Sequence, residues 1–151
     1  MEFSVETDDI CKDEYLAGLN VCFPNWGHQE KFHEIFVTKS GSIETAFISI
    51  REKKSSKLIA GSAVTYRLMM MYKSVIPVGI MTGSWTLPEA RGQGLFSVVI
   101  QQSLELVKLK NGRYLLAFVV SENASCRRLN DAGSLMVPTS YFFSSSSSVK
   151  T

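Results

Sequence analysis

The residues with the clearest chemical potential form the segment Arg91-Gly92-Gln93-Gly94, where an apolar stretch gives way to an amphipathic one. Two glycines in four positions let the backbone take conformations that a Cβ atom blocks, and let it approach a ligand closely. The first N–H groups of a helix have no acceptor within the helix, and the helix dipole adds partial positive charge there. Arg91 adds a fixed cation with a planar set of donors. The segment therefore predicts a loop that binds phosphate or pyrophosphate at a helix N-terminus.

The same segment resembles motif A of the GNAT superfamily of N-acetyltransferases. The likeness rests on Arg91-x-x-Gly94, with Pro88-Glu89 just upstream. Phe96 stands where the motif usually has Gly or Ala, and one branch of the superfamily carries Gly-Leu-Phe at this place. The resemblance implies that backbone amides of the loop hold the pyrophosphate of acetyl-CoA. Taken alone, four residues fit an ordinary strand–loop–helix junction better, and the order of the surrounding elements favours the GNAT interpretation.

Hydrophobic patterning predicts the elements around this loop. A strand is predicted from Val75 to Trp85, a helix from Leu95 to Lys110, and an apolar strand from Arg113 to Val120 that is buried on both faces. Strand, helix and strand in this order form a β-α-β unit, so the two strands are predicted to be parallel.

Earlier segments predict further strands that are antiparallel to one another, at residues 3–5, 45–50 and 58–66, the last continuing to residue 72. The predicted fold class is α/β (α+β), with a mixed, mostly antiparallel central sheet, one parallel strand pair and flanking helices. This is the GNAT arrangement. The resemblance implies that the two parallel strands splay apart and that the pantetheine arm of the cofactor enters between them.

Two helices are predicted in the first quarter of the chain. One runs from about residue 10 to residue 23 with the Asp8-Asp9 pair as N-cap candidates, and the other runs from residue 28 to about residue 36. The resemblance places a substrate entrance at these helices, which Trp26 and Phe32 could line. Packing in the core is the better interpretation of both aromatic side chains.

The predicted strand from Val75 to Trp85 is interrupted by Pro77, Gly79 and Gly83. A glycine within a strand indicates a bulge or the close approach of a ligand. The GNAT resemblance implies a bulge in the fourth strand, where backbone amides meet the acetyl carbonyl. It places the thioester beside residues Trp85 to Leu87.

A short helix that ends at Gly133 is predicted after the last apolar strand, with Ser121 or Asn123 as its cap. The resemblance covers Asn123 and Gly133, whereas Ser134 replaces the aromatic residue that usually follows the glycine. In the family, a Tyr late in this helix often protonates the leaving CoA thiolate. Leu129 stands at its place, so the resemblance indicates that the usual general acid is missing.

The segment after this helix predicts one more strand from Leu135 to Phe143 and then a disordered, serine-rich tail over residues 144–151. The predicted domain therefore spans residues 1–143. The family normally has a further strand, so we expect a C-terminally truncated member or a fragment of a longer protein. A last strand without its usual partner leaves an open apolar edge, which favours a homodimer.

The candidate site follows from these arguments. Glu89 and Glu122 are the acidic residues nearest the loop in sequence and are candidates for the base that deprotonates the acceptor, although solvent-facing roles fit both better. Cys126 could be a nucleophile at a helix N-terminus, but an incidental thiol fits its position better. The residues predicted to bind acetyl-CoA are Trp85, Thr86, Leu87, Arg91, Gly92, Gln93, Gly94, Leu95, Phe96 and Asn123.

Composition argues against several other classes of protein. The net charge of +2, without a dense basic face, argues against nucleic-acid binding. The three cysteines lack a Cys-x-x-Cys spacing, which indicates a reducing, cytoplasmic compartment rather than a disulfide framework. His28 and His33 are not spaced as a helical metal pair, so no metal is expected. No run of about 18 apolar residues and no signal peptide are present, so no membrane partner is expected.

The sequence thus favours an acetyl-CoA-dependent N-acyltransferase that transfers an acetyl group by direct attack of a primary amine on a small molecule or peptide. The alternative is an acyl-CoA-binding module that has lost catalysis, which Leu129 supports. A dinucleotide-binding Rossmann unit fits worse. The segment Gly92-Gln-Gly-Leu-Phe-Ser97 lacks the third glycine of that fingerprint, and no acidic residue ends the following strand.

Overall fold

A five-stranded sheet organises the chain. The structure, a computed structural model, describes residues 2–7, 10–37 and 44–139. The first three pairs of neighbouring strands are antiparallel, and β4 and β5 are parallel. The predicted fold class, a mixed and mostly antiparallel sheet with one parallel pair, is confirmed. The strands neighbour one another in chain order: β1 Phe3–Thr7, β2 Thr45–Glu52, β3 Leu58–Met71, β4 Ser74–Thr86 and β5 Tyr114–Ala117.

Helices cover both faces of the sheet: α1 Lys12–Cys22, α2 Gln29–Phe32, α3 Leu95–Leu109 and α4 Ala124–Asp131. The structure agrees with the predicted α3 and α4. The predicted helix over residues 28–36 is instead the short α2 followed by a π-helical turn, His33–Val37. Cys11 is the N-cap of α1 and makes no side-chain cap bond, and the predicted caps Asp8 and Asp9 lie outside the described residues. Within the described ranges, every helix is too short or too polar to cross a membrane.

The two faces of the sheet are packed by different kinds of side chain. The core between the sheet and α3 is aliphatic, and it contains Ile50 and Ile59 of the sheet and Val99 of α3. The face toward α1 is aromatic. Trp26 and Phe32, the two candidates for a substrate entrance, both take part in this packing, and Trp26 stacks on Phe36 at a centroid distance of 6.0 Å. The buried aromatic cluster consists of Tyr15, Phe32, Phe36, Phe47 and Trp85.

The parallel ladder between β4 and β5 is short. It begins at the Val78–Tyr114 pair and ends at the Met81–Ala117 pair, whereas β4 continues to Thr86. The carboxyl end of β4 therefore runs on without β5 beside it. This opening is where the splayed strands were expected to admit a ligand.

β5 is a short edge strand, so the prediction that residues 113–120 are buried on both faces is wrong. Phe118 and Val120, which follow β5, are 61% and 66% exposed. Within the described part of the chain, no strand pairs with the outer edge of β5, and these side chains lie mostly open to solvent. The strand predicted over 135–143 is also not formed in its described part, up to residue 139. The remainder of that segment and the tail over 144–151 lie outside the described residues.

Candidate functional site

A cavity of about 470 Å³ is lined by the carboxyl end of β4, the first turns of α3 and α4, and the end of α1. This volume lies within the range typical of small-molecule and cofactor sites. Leu87 and Gln93, two of the residues predicted to bind acetyl-CoA, do not line it. The other eight do: Trp85, Thr86, Arg91, Gly92, Gly94, Leu95, Phe96 and Asn123. Their role in binding acetyl-CoA stays a prediction.

Two glycines shape the loop that leads into α3. Gly92 and Gly94 have φ values of +79° and +74°, a conformation that costs an L-residue with a Cβ about 1–2 kcal/mol. A Cβ at either position would meet no atom within 4 Å, so conformation rather than space requires glycine here. Gly94 is the N-cap of α3, and its carbonyl accepts the Ser97 N–H at 3.0 Å. The amides of Leu95 and Phe96, which precede Ser97 in α3, have no acceptor within the helix, and these residues lie at the cavity with the positive end of the helix dipole.

α4 brings a second helix N-terminus to the same cavity. Asn123 Oδ1 accepts the Ser125 N–H at 2.9 Å, so of the two predicted caps, Ser121 and Asn123, it is Asn123 that caps this helix. Ala124 and Arg128 also line the cavity. Arg128 was not among the residues predicted from the sequence. The sequence signal that indicates Arg128 is its spacing: it follows Ala124 by four residues, and residues four apart lie on the same face of a helix.

Charge at the cavity is positive. Among the described residues that line it, the charged side chains are Arg91 and Arg128. Arg91 Nε donates a hydrogen bond to the carbonyl oxygen of Thr86 at 3.2 Å, which ties the guanidinium group to the end of β4. Two cations and two helix N-termini, with no carboxylate among the described lining residues, favour an anionic ligand that carries phosphate groups.

Cys22 and Phe23, at the end of α1, also line the cavity and were not among the residues predicted from the sequence. Nothing in the local sequence indicates which helix end meets the end of β4. The Cys22 thiol donates a hydrogen bond to the carbonyl oxygen of Thr86 at 3.2 Å. Burial raises the pKa of the Cys22 thiol, and the neighbouring Arg91 guanidinium offsets part of that rise. The thiol is therefore protonated near neutral pH and is a poor nucleophile.

β4 contains the bulge that its glycines predict. The register between β3 and β4 shifts, so that Gly83 and Ser84 of β4 stand opposite the single residue Ser62 of β3. Gly83 has a φ of +60°, in the left-handed region that favours glycine. Ser84 lines the cavity and was not among the predicted site residues. The bulge therefore lies next to the place where a ligand would enter.

The expectation that a thioester lies beside Trp85 to Leu87 stays a prediction, and the structure places the bulge just before these residues. The Trp85 side chain is 4% exposed and belongs mainly to the aromatic cluster. The Leu87 N–H donates to the carbonyl oxygen of Ile59 at 2.9 Å. The Leu87 amide therefore already has an acceptor, whereas Ser84 of the bulge lines the cavity.

Neither candidate base lines the cavity. Glu89 Oε1 lies 2.7 Å from Lys57 Nζ, and this contact holds the pKa of Glu89 below its usual value. Glu122 is exposed, and hydrogen bonds from its own backbone amide and from the Ser121 hydroxyl lower its pKa. A carboxylate with a lowered pKa is a weaker base. The structure therefore places neither carboxylate at the cavity, and a part for either as the base stays a prediction.

Two further positions named from the sequence are part of the packing or lie outside the cavity. Leu129 is 6% exposed and packs in the cluster that contains Leu95 and Val99. No proton donor is therefore presented from the position where the resemblance puts a Tyr. Cys126 is half-buried and is not among the residues that line the cavity.

The comparison with known proteins rests on structure. No protein-family profile and no curated protein sequence matches the chain. The aminoglycoside antibiotic 6'-N-acetyltransferase AAC(6')-Ih from Acinetobacter baumannii is similar, with a TM-score of 0.70 at 16% identity over 96% of this chain and 99% of that one. Glucosamine-6-phosphate N-acetyltransferase from Arabidopsis thaliana gives a TM-score of 0.67 at 14% identity, over 95% and 100% of the two chains.

A third similar structure, AAC(6')-Iy, was solved in complex with the bisubstrate analogue CoA-S-monomethyl-acetylneamine. It gives a TM-score of 0.72 at 14% identity, over 97% of this chain and 99% of that one. The chain therefore has the GNAT fold, as the residues around Arg91 and Gly94 predict.

Proposed function

We propose that the protein is an acetyl-CoA-dependent N-acyltransferase whose acceptor is a primary amine on a small molecule or peptide. One observation carries the proposal: two helix N-termini and two arginines meet at one cavity beside the opening between β4 and β5. The names of proteins with the same fold describe transfer of an acetyl group to an amino nitrogen, which supports the same reaction class here.

The cavity suits CoA in its charge and in its shape. The pyrophosphate concentrates negative charge, and the amides at the beginning of α3 together with Arg91 supply donors and a cation for it. Arg128 on α4 supplies a second cation for the phosphate groups. The pantetheine arm carries amide groups, which can form hydrogen bonds with the part of β4 that has no strand beside it on the β5 side.

Transfer would occur by direct attack of the acceptor on the thioester. The lone pair of the neutral amine forms a C–N bond with the carbonyl carbon, and the C=O π electrons move to oxygen. Collapse of this intermediate breaks the C–S bond and releases CoA as a thiolate, while the nitrogen loses one proton to water. The chain contributes orientation and backbone N–H donors at the β4 bulge. Glu89 and Glu122 are not assigned a part in these steps.

A second candidate function is that of an acyl-CoA-binding module without turnover. It is favoured by Leu129, which is buried at the position where the resemblance puts the general acid. We favour the enzyme because a thiolate is a good leaving group, with a thiol pKa of about 8.5 for the comparable cysteine side chain. Loss of the acid at this position is therefore expected to slow the reaction rather than prevent it.

The proposal is tested by turnover with a panel of amines. The protein is incubated with acetyl-CoA and polyamines, amino sugars, aminoglycosides or lysine peptides, and products are identified by mass together with the release of free CoA thiol. We expect at least one amine to gain an acetyl group, and we expect Gly94→Val to abolish the product while Gly133→Val retains it. Binding of acetyl-CoA without any acetylated product would favour the module, and absence of binding would contradict both functions.

A further inference from the structure

Tyr15 of α1 is connected to the β4 bulge by a hydrogen bond. Its hydroxyl donates to the carbonyl oxygen of Gly83 at 3.2 Å, across 68 positions of sequence. Tyr15 is fully buried. One side chain therefore ties α1 to the bulge, immediately before Ser84 at the cavity.

Packing explains why an aromatic ring stands at position 15, but it does not explain why that ring carries a hydroxyl group. A phenylalanine would make the same ring contacts, whereas a buried hydroxyl costs free energy unless it is hydrogen-bonded. Burial raises the pKa of Tyr15, so the hydroxyl remains a protonated donor. Beyond the ring, the hydroxyl adds the bond to the Gly83 carbonyl and an interaction with the Trp85 side chain, which lowers the pKa of Tyr15 in part. The ring makes edge contacts, with centroid distances from 5.5 to 6.1 Å, to Phe32, Phe36, Phe47 and Trp85.

The backbone at Gly83 has a conformation that few residues adopt. Its φ is +60°, and a Cβ at this position would lie 2.8 Å from Cζ of Phe36. The register shift removes Gly83 from the regular pairing between β3 and β4. The Gly83 carbonyl points toward α1, because it accepts the hydrogen bond from the Tyr15 hydroxyl.

The direction of this carbonyl fixes the direction of the next amide. A trans peptide unit is planar, and its C=O and N–H bonds point in opposite directions. With the Gly83 carbonyl held toward α1, the Ser84 N–H points away from α1. The Ser84 hydroxyl is held in turn by the buried Ser62 hydroxyl, with 2.7 Å between the two oxygens.

We propose that Tyr15 is a positioning residue that fixes the bulge so that the Ser84 N–H donates a hydrogen bond to the carbonyl oxygen of the bound acyl thioester. The inference rests on the proposed function, because it requires an acyl-CoA in the cavity. Tyr15 touches no substrate and gives up no proton. Negative charge grows on the thioester oxygen during attack, and an N–H donor that is already oriented stabilises that charge.

The test removes only the Tyr15 oxygen, in Tyr15→Phe. The matched control is Tyr66→Phe, because the Tyr66 hydroxyl also donates to a backbone carbonyl, that of Leu106 at 2.9 Å, and Tyr66 does not line the cavity. Infrared difference spectra of bound acetyl-CoA, labelled with ¹³C at the thioester carbonyl, report the hydrogen bond as a lower stretching frequency.

We expect a clear frequency shift in the wild type and in Tyr66→Phe, and most of that shift to be lost in Tyr15→Phe. The calorimetric affinity for CoA without an acetyl group should stay within about twofold in all three proteins, because the phosphate contacts are unchanged. Removal of one oriented oxyanion donor costs roughly 10²–10³ in kcat, so a donor that is only loosened should cost about tenfold with any amine that proves to be a substrate.

The proposed role of Tyr15 would be overturned if the carbonyl frequency shifted equally in all three proteins. It would also be overturned if Tyr15→Phe and Tyr66→Phe lost the frequency shift to the same extent. A wild type that binds acetyl-CoA without any shift would overturn it as well and leave the proposed function standing. A wild type that does not bind acetyl-CoA contradicts the proposed function and this inference together. Should Tyr15→Phe fail to fold, Gly83→Ala disturbs the bulge without altering the Tyr15 side chain, and a full shift in that variant would equally overturn the inference.

Discussion

Arg91 and Cys22 share one hydrogen-bond acceptor, the carbonyl oxygen of Thr86, which lies 3.2 Å from Arg91 Nε and 3.2 Å from Cys22 Sγ. A carbonyl oxygen has two lone pairs, so both bonds can form together. This acceptor joins the loop before α3, the end of β4 and the end of α1 at a single point of the cavity. The Cys22 thiol should therefore report whether the cavity is occupied.

Alkylation of Cys22 by iodoacetamide is expected to be slow and to be slowed further by acetyl-CoA. Burial raises the pKa of the Cys22 thiol, so at pH 8 its reactive thiolate fraction is smaller than in the unfolded chain, and the rate should rise as pH increases above that value. Phosphate groups in the cavity disfavour the thiolate further. Peptide mass spectrometry measures the rate, with the exposed Cys11 as an internal control. Failure of acetyl-CoA to protect Cys22 while it binds would place the ligand elsewhere.

Arg128→Ala is expected to weaken CoA binding, and Arg127→Ala is not. The two residues are neighbours on α4, but only Arg128 lines the cavity. Loss of one charge-assisted contact at a partly exposed site should cost about 1 kcal/mol, which is roughly fivefold in Kd. Calorimetry at low and high salt measures the difference, which should shrink as salt screens the charge. Equal effects of the two substitutions would argue against a phosphate contact on α4.

Gly94→Ala and Gly133→Ala form a second matched pair. Both glycines have positive φ, +74° and +85°, and a Cβ at either would meet no atom within 4 Å. The backbone cost should therefore be similar, about 1 kcal/mol, and should lower the Tm of each variant by roughly 2–4 °C. Only Gly94 shapes the loop at the cavity, so we expect CoA affinity to fall at least tenfold in Gly94→Ala alone. A similar loss in both variants would mean that general destabilisation explains the effect.

Glu89→Gln and Glu122→Gln should leave kcat unchanged within about twofold with any amine that proves to be a substrate. Both carboxylates are exposed, both have lowered pKa values, and neither lines the cavity. Glu89→Gln also breaks the contact with Lys57, but an exposed pair of this kind contributes little to the free energy of unfolding. A large fall in kcat with either variant, at unchanged affinity for CoA, would restore that residue as the catalytic base.

Local sequence predicts the parts of the fold that local rules determine. The glycines at 92 and 94 have the positive φ that their place before a helix predicts, and α3 and the cap at Asn123 follow from side-chain pattern. The β-α-β order predicts the parallel pair of β4 and β5, because two parallel strands need a crossover connection. These features need no knowledge of distant contacts.

Features that depend on distant contacts could not be predicted in the same way. The apolar run after Arg113 suggests a strand covered on both faces, yet nothing in the described part of the chain lies beyond β5, so Phe118 is exposed. Cys22 reaches the cavity only because α1 crosses the end of β4. The hydrogen bond from Tyr15 to Gly83 likewise joins residues that no local pattern connects.

Thermal unfolding in the presence of acetyl-CoA tests the central claim most directly. A ligand that binds only the native state at a hundredfold excess over its Kd adds about 2.7 kcal/mol to the free energy of unfolding. For a domain of this length, that should raise the Tm by roughly 5–10 °C. We expect this rise with acetyl-CoA and with CoA, and none with NAD at the same millimolar concentration. A Tm that stays constant with acetyl-CoA and CoA, or that rises with NAD alone, would contradict the assignment of the cavity to acyl-CoA.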